Sequence, residues 1–286
     1  MIDLLELRNY GSYDRIYPFI VQIGTGGTGG YLVQNIAQMM ATFDVKGQYL
    51  IADPDIIEKK NLQNQLFTED DVGKKKADVL ANRYRRAYDI PIRSYNNTYI
   101  EDVETLKSLF NLDYLGYSIN GYQTLYLPVI IGAVDNNFTR KVLHQFFIES
   151  GRCLYIDVGN ESAEVPGDYP TRNMTEWSEG EKNIYQESGW RGQVVCGLKV
   201  HGKTILPPVG SVFPDILADK DEIAPSQISC SDITATDPQR ILTNKMAAMS
   251  VLPYLNSLFE EGKIYHSMTF FHAKKGYIQS QEIKIE

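Results

Sequence analysis

The stretch FIVQIGTGGTGGYLVQNI, residues 19–36, joins an apolar run to a helical pattern through a cluster of glycines. Glycine permits positive φ angles and lets the backbone approach a phosphate without a Cβ atom in the way. The helix that follows offers unpaired N–H groups and the positive end of its dipole. We therefore predict a nucleotide-phosphate site at Gly24, Gly26, Gly27 and Gly29. Gly27 occupies a position where a dinucleotide fingerprint requires no glycine, which favours a nucleotide other than NAD.

Two acidic residues follow predicted strands. Asp53 comes about where a Rossmann unit places the carboxylate that binds a ribose hydroxyl. Asp135 ends the apolar run LPVIIGAV, at the strand edge where ligands gather in open α/β sheets. A single carboxylate there can hold Mg²⁺ through phosphates. It can equally be the N-cap of a helix that starts near residue 138, and both interpretations stay open.

Amides and lysines crowd the segment after Asp53. Amide side chains and an ammonium group suit a triphosphate whose α-phosphate is attacked. Three consecutive lysines can also be a solvated helix start, although the helix dipole repels cations there unless an anion is near. The residues concerned are Asn61, Asn64, Gln65, Lys74, Lys75 and Lys76.

Alternating apolar strands and amphipathic helices must position these residues. The pattern predicts strands at 20–23, 49–52, 90–95, 127–134 and 153–160, with helices at 30–42, 74–88, 103–112, 138–150 and 237–261. This alternation is typical of a Rossmann-like, doubly wound α/β fold with a mostly parallel sheet. We expect one domain, residues 1–286, with an N-terminal arm at 1–18 and a C-terminal hairpin turning at Lys275 and Gly276. Segments 160–192 and 207–229 show little periodicity and are expected to be irregular, mobile loops.

Composition excludes several classes of protein. The 286 residues carry a formal charge of −8, which disfavours a nucleic-acid binder. No apolar run approaches the ~20 residues that cross a bilayer, and the N-terminus lacks a signal layout, so we expect a cytoplasmic protein without membrane contact. The three cysteines form no C-x-x-C pair, so we expect no structural zinc.

Four ordered motifs resemble the ThiF/MoeB and ubiquitin-activating (E1-like) superfamily. They are G-x-G-G-x-G, D-x-D followed by N-L-x-x-Q, V-G-x-x-K, and D-N-x-x-x-R. The downstream segments DVGN, GQVVCG and SCSD look most like ThiF-family proteins of PRTRC systems. The resemblance covers roughly residues 19–260. It implies an adenylyltransferase that uses ATP and Mg²⁺ to activate the C-terminal glycine of a ubiquitin-like or sulfur-carrier protein, and a homodimer.

The resemblance also implies roles for individual residues. By motif, Gly26 would lie against the nucleotide and Asp53 would bind the ribose. Asp135 would hold magnesium, with Asn136 beside it. Arg140 matches the arginine of the last motif.

One position departs from the family pattern. By resemblance, Asn61 and Gln65 flank the phosphates and Lys76 neutralises the developing charge. The family writes N-L-x-R-Q, however, and this chain has Asn64 where the arginine belongs. An amide does not replace a bidentate guanidinium at a phosphate. The candidates to supply the missing charge are Lys59, Lys60 or Lys75, or Arg8 or Arg15 inserted by a partner subunit.

Cys230 is the candidate for a later transfer step, because it precedes the long C-terminal helix where some family members carry a thioester-forming cysteine. A buried turn cysteine is the competing interpretation. Two other functions remain as alternatives. One is a non-catalytic ThiF-like module that keeps nucleotide or partner binding, and the other is an NAD(P)-binding oxidoreductase.

Overall fold

The computed structural model describes residues 1–7, 12–110, 123–219, 223–227 and 238–283. Its strands are β1 (Ile2–Asp3), β2 (Arg15–Ile23), β3 (Gln48–Ala52), β4 (Ile92–Tyr95), β5 (Thr124–Gly132), β6 (Cys153–Asn160), β7 (Arg191–Val200), β8 (Lys203–Leu206), β9 (Lys263–Ile264), β10 (His266–His272) and β11 (Tyr277–Glu282). Its helices are α1 (Gly27–Thr42), α2 (Lys76–Tyr88), α3 (Val103–Leu109), α4 (Asn137–Glu149), α5 (Glu179–Glu187), α6 (Val209–Val212), α7 (Asp215–Ala218) and α8 (Ile241–Glu261).

One mixed sheet forms the centre of the molecule, with the strand order β11-β10-β7-β6-β5-β2-β3-β4 and β8 paired to β7. Strands β4, β3, β2, β5 and β6 are neighbours in that order and run parallel. Strands β7, β8, β10 and β11 are joined to them by antiparallel pairs. Ile23 at the end of β2 pairs with Ala52 on one side and Gly132 on the other. The loops after these three strands therefore leave the sheet side by side. The predicted doubly wound fold and C-terminal hairpin are confirmed.

Helices cover both faces of the sheet. One apolar core joins it to α1, α2 and α8, and a second core joins it to α3 and α4. All residues of β5 are buried, as expected for a continuous apolar run covered on both sides. None of the helices in the described part of the chain combines the length and apolarity that a bilayer crossing requires.

Two prolines explain why the central strands begin earlier than predicted. Pro18 in β2 pairs with Leu127 of β5, whereas the pairing of β2 with β3 begins only at Phe19. Pro128 in β5 likewise precedes Val129, where the pairing with β6 begins. Proline lacks an N–H donor, so it is tolerated where a strand has a neighbour on one side alone. β2 therefore begins inside the predicted N-terminal arm.

The expectation of an irregular loop over 160–192 is wrong in part, because that segment contains α5. A capping box starts the helix: the Ser178 side chain accepts from the N–H of Glu181, and Glu181 accepts from the N–H of Ser178. Trp177 is buried and makes edge contacts with Tyr169 and Tyr185. The segment thus has a small apolar centre of its own. The described part of 207–229 holds the short helices α6 and α7.

Candidate functional site

A cavity of about 540 Å³ opens where the loops after β2, β3, β5 and β6 leave the sheet. Its volume lies within the ~300–1,000 Å³ of small-molecule sites. Most of the predicted glycine, acid, amide and lysine residues line it: Gly24, Gly26, Gly27, Asp53, Lys60, Asn61, Asn64, Gln65, Lys76, Asp135 and Asn136. Gly29, Lys59, Lys74, Lys75, Arg15 and Arg140, which were also candidates, do not. The structure therefore brings most of the predicted residues together.

Buried contacts hold the glycine loop in its shape. The Gln22 side chain, fully buried, donates from Nε2 to the carbonyl oxygens of Gly24 and Gly29, both at 2.9 Å. Its Oε1 accepts a hydrogen bond from the Tyr49 hydroxyl at 2.6 Å. A Cβ atom on Gly29 would lie 2.1 Å from the Gly24 carbonyl oxygen. Gly29 therefore serves the close packing of the turn, not the cavity wall.

The other glycines differ in what they allow. Gly24 has a φ of +91°, a conformation that side chains disfavour. A Cβ on Gly27 would lie 2.1 Å from Nδ2 of Asn244 in α8. A Cβ on Gly26 would meet nothing closer than Gln65 Nε2, at 3.8 Å. Gly27 thus makes room for Asn244, and Gly26 leaves open space on the side of Gln65.

Asn244 was not predicted from the sequence, since nothing near it in the chain marks it. It is fully buried, and its Oδ1 accepts from Asn160 Nδ2 at 2.9 Å and from Thr28 Oγ1 at 3.4 Å. Asn160 and Thr28 both line the cavity. Asn244 therefore joins the C-terminal helix to the end of β6 and to the first turn of α1.

Asp53 fastens the end of β3 to the glycine loop. Its Oδ2 accepts hydrogen bonds from the backbone N–H and the hydroxyl of Thr25, at 2.8 and 2.7 Å, and its Oδ1 accepts from the Asp55 N–H at 2.9 Å. Burial raises the pKa of the Asp53 carboxyl, and the positive charge of Lys76 opposes this rise. A ribose hydroxyl at Asp53 would have to share these oxygens.

Lys76, at the start of α2, points its ammonium group back to the end of β3. Lys76 is 7% exposed, and its Nζ lies 2.8 Å from Asp55 Oδ2. The Tyr99 hydroxyl donates to Asp55 Oδ1. This arrangement does not fit the interpretation of Lys76 as a solvated helix start. Asp55 and Tyr99, which also line the cavity, were not predicted, although the D-x-D spacing was a signal for Asp55.

A short 3₁₀ turn, Lys59–Gln63, forms another wall. Asn61 is buried, its Oδ1 accepts from the Glu58 N–H at 2.8 Å, and its N–H donates to the Glu58 carbonyl oxygen at 2.9 Å. Asn64 ends the turn and lines the cavity. The Oε1 atom of Gln65 is buried and has no hydrogen-bond partner among the described residues.

The two interpretations of Asp135 are now separated. Helix α4 starts at Asn137, and its N-cap is Asn136, whose Oδ1 accepts from the Thr139 N–H at 2.8 Å. Asp135 is exposed at the cavity wall and is not the cap. Arg140 holds the preceding backbone, because its Nη2 donates to the Val134 carbonyl at 2.6 Å.

Arg140 is itself fixed by a buried ion pair. Its Nε lies 3.1 Å from Asp157 Oδ1, and the Tyr155 hydroxyl donates to Asp157 Oδ2 at 2.8 Å. The charge of Asp157 raises the pKa of the guanidinium against the opposing effect of burial. Arg140 therefore supports the loop that carries Asp135.

Asp135 suits a magnesium ion that is shared with phosphates. The described residues contain no group of three or more His, Cys, Asp or Glu side chains arranged to hold a metal. Mg²⁺ is usually held by one or two carboxylates together with water and substrate phosphates. A single exposed carboxylate that lines the same cavity as the glycine loop fits that donor set.

The cysteines divide into two groups. Cys153 and Cys196 are buried, and burial raises the pKa of both thiols. Both are therefore unreactive core residues. Cys230, the predicted transfer residue, lies outside the described residues, so its role stays a prediction.

Comparisons with known proteins agree with this geometry. A family model described as the ThiF family matches residues 18–285. The fold is similar to that of E. coli MccB with ATP, at 16% identity and a TM-score of 0.54 over 94% of this chain and 64% of that chain. It is also similar to the microcin C7 biosynthetic enzyme MccB in complex with N-formylated MccA. The identity there is 18% and the TM-score 0.55, over 93% of this chain and 64% of that chain.

A third similar structure is that of PaaA, at 15% identity and a TM-score of 0.52, covering 93% of this chain and 65% of that chain. The chain thus spans less than two thirds of the length of these solved proteins. At such identities the likeness shows a shared fold. A search of curated proteins found no significant match.

Proposed function

The chain belongs to the ThiF family, and from this we propose that it is an ATP-dependent adenylyltransferase acting on the C-terminal carboxylate of a small protein or peptide. One observation carries the proposal: the glycine loop, Lys76 and Asp135 all line a single cavity of about 540 Å³. Asp135 is available there because Asn136, not Asp135, caps the following helix. Each of these groups matches a different part of a nucleoside triphosphate.

The proposed reaction joins two substrates in that cavity. A carboxylate oxygen of the acceptor attacks the α-phosphorus of ATP, and the bond from the α-phosphorus to the bridging oxygen of the β-phosphate breaks. The products are an acyl adenylate and pyrophosphate. The protein contributes position and countercharge, because the reaction needs neither a nucleophile nor an acid from the chain.

The chain's own residues would divide these tasks. The open side of Gly26 and the first N–H groups of α1 would accept phosphate oxygens. Asp53 would contact the ribose through Oδ1, and Lys76 would face the charge that develops on the phosphates. Asn61, Asn64 and Gln65 would line the polyphosphate, to whose oxygens their amide NH₂ groups could donate.

Asp135, with Asn136 beside it, would hold a magnesium ion. When bound, the ion would supply positive charge that offsets the negative charge of the phosphates. Arg140 would keep the Asp135 backbone in place through the Val134 carbonyl. This assignment uses Asp135 as the only protein carboxylate of the ion.

The acceptor is proposed to be a ubiquitin-like or sulfur-carrier protein that ends in glycine. A chain terminus can enter on the side of the cavity formed by Ser162, Tyr169 and Pro238. The MccB structures in complex with MccA support an acceptor with a peptide-like end. By resemblance we also propose a cytoplasmic homodimer, a single adenylation domain and a relation to PRTRC systems.

A later transfer to Cys230 is part of the same proposal. Since Cys153 and Cys196 are buried thiols with a raised pKa, Cys230 is the one cysteine of the sequence left for a thioester. If so, Cys230→Ser should leave adenylate formation intact and abolish the thiol-sensitive adduct with the acceptor.

A second candidate function is a module that binds ATP without turnover. It is favoured by Asn64 in place of an arginine, and by Asp55, which already neutralises Lys76 at 2.8 Å. Formation of AMP and pyrophosphate with a glycine-ending acceptor separates the two candidates. ATP binding without these products would favour the module that binds ATP without turnover.

The first experiment is a calorimetric titration with Mg-ATP, with NAD in parallel. We expect Mg-ATP to bind and NAD not to bind. Asp135→Asn should weaken the binding of Mg-ATP at least about tenfold, because the carboxylate charge that would hold the ion is lost. Asp44→Asn, a change at an exposed acid outside the cavity, is the matched control and should have no effect. Binding of NAD, or absence of ATP binding, would contradict the proposal.

A further inference from the structure

We propose that Lys60 is the second cation of the polyphosphate site, in place of the cation that position 64 lacks. The inference rests on the proposed function, because it assumes that a triphosphate enters the cavity. It assigns to this chain a specific phosphate-binding residue that a comparison of aligned motif positions would not select.

The charges on the cavity wall require another cation. The acidic residues that line the cavity are Asp53, Asp55, Glu58 and Asp135. Among the described residues, the lining cations are Lys60 and Lys76. Lys76 lies 2.8 Å from Asp55 and also interacts with Asp53. Its charge is therefore shared by two carboxylates before any phosphate arrives, and a polyphosphate would add more negative charge to a wall that is already acidic.

The 3₁₀ turn decides which neighbouring lysine faces the cavity. In a 3₁₀ helix the side chains at i and i+3 lie above one another. Lys60 and Gln63 line the cavity, and so do Asn61 and Asn64. Lys59 is exposed and does not line the cavity, and Leu62, three residues further on, packs against the apolar core. The period of three thus directs Lys60 to the ligand and Lys59 to solvent.

The ion pair between Lys60 and Glu58 would yield to a phosphate. Lys60 Nζ lies 3.3 Å from Glu58 Oε1, and the two side chains are 34% and 46% exposed. Such half-exposed pairs contribute little to stability. Both residues line the cavity. A phosphate bound there would therefore compete with Glu58 for the Lys60 ammonium group.

The other cations considered for this role are placed elsewhere. Lys75 Nζ donates to the Pro54 carbonyl at 2.5 Å. Arg15, which a partner subunit would have to contribute, donates from Nε to Thr124 Oγ1 of its own chain at 3.0 Å. Arg8 lies outside the described residues. Among the described residues of this group, Lys60 is therefore the cation that lines the cavity of its own chain.

The test compares Mg-ATP and adenosine by calorimetry on matched variants. Lys60→Gln should weaken Mg-ATP at least about tenfold, since a charged hydrogen bond is lost, and leave adenosine unchanged. Lys59→Gln, one residue away on the outer face, should change neither ligand by more than about twofold. In the Lys60→Gln background, Asn64→Arg should restore most of the Mg-ATP affinity, because residue 64 lines the same wall.

The outcomes separate this inference from the proposed function. Equal losses of Mg-ATP affinity in Lys60→Gln and Lys59→Gln would show that only the net charge of the turn matters, and would overturn the role of Lys60. A parallel loss of adenosine affinity would show damage to the turn and would overturn it too. Wild-type protein that binds no ATP would overturn the proposed function, and the Lys60 assignment with it.

Discussion

The parallel half of the sheet and the segment of residues 161–190 both contribute to the cavity, but different forces hold them. In the parallel half, strands buried on both faces are joined by buried polar contacts such as Gln22 to the glycine loop and Arg140 to Asp157. The segment 161–190 is held mainly by contacts nearer the surface. We therefore expect the segment to open locally, whereas the parallel half should unfold only together with the whole protein.

The contacts of the segment are polar and lie at its two ends. Glu161 Oε2 accepts from the N–H groups of residues 189, 190 and 191, at 3.1 to 3.3 Å. Arg240 lies 4.1 Å from the Trp190 ring centre and 4.5 Å from that of Tyr185. Such contacts can open without exposing the main core. A cavity wall that opens locally suits the entry of a second substrate.

The largest expected effect comes from breaking the buried pair of the parallel half. Arg140→Met leaves the carboxylate of Asp157 buried and unpaired, so the free energy of unfolding should fall by about 3–5 kcal/mol. Urea denaturation measures it. Adding Asp157→Asn should recover much of the loss, because no buried charge then remains. A loss below about 1 kcal/mol would show that this half does not depend on its buried pair.

A smaller, local effect is expected from Arg240→Ala. The variant loses the two ring contacts and two hydrogen bonds, from Nε to the Ser188 carbonyl at 2.9 Å and from Nη2 to the Tyr185 carbonyl. Hydrogen exchange should report opening of residues 161–190 that is easier by about 1–2 kcal/mol, while the urea midpoint changes little. Arg240→Lys should fall between wild type and Ala. A global loss as large as that of Arg140→Met would remove the distinction between the regions.

The smallest expected effect is a pH dependence of the stability of the segment 161–190. Hydrogen bonds from Arg172, and then from Ser178, lower the pKa of Glu181 from 4.5 to about 2. A group with a lowered folded pKa stabilises the folded form above its unfolded pKa. This stabilisation should be complete above about pH 4.5 and be lost as the pH falls towards 2.

Tryptophan fluorescence can follow that loss, because both tryptophans of the chain, Trp177 and Trp190, lie in the segment. Acrylamide quenching should increase as the pH falls from about 4.5 towards 2, before the rest of the chain unfolds. Glu181→Gln should show raised quenching already at pH 6 and a flatter pH profile. Quenching that is independent of pH until global unfolding would contradict a separately held segment.

Much of the scaffold was predictable because its pattern is local. Apolar runs and 3.6-residue periods identified the strands and helices of the parallel half, and errors at their ends came from prolines such as Pro18 and Pro128. Helix α5 was missed, because its side chains are not buried and so leave little hydrophobic pattern. Its start was still marked locally by Ser178 and Glu181, a capping box.

The sequence by itself determined which residue types gather at the cavity: a glycine loop, the acids after two strands, and the amides and lysines between them. Tertiary structure alone decided their use. It made Asn136 the cap and left Asp135 exposed, tied Lys76 to Asp55, and set Asn244 against Gly27. The reason is physical: residue type and local period determine which element forms, whereas hydrogen bonds and burial between residues far apart in the chain depend on how those elements pack.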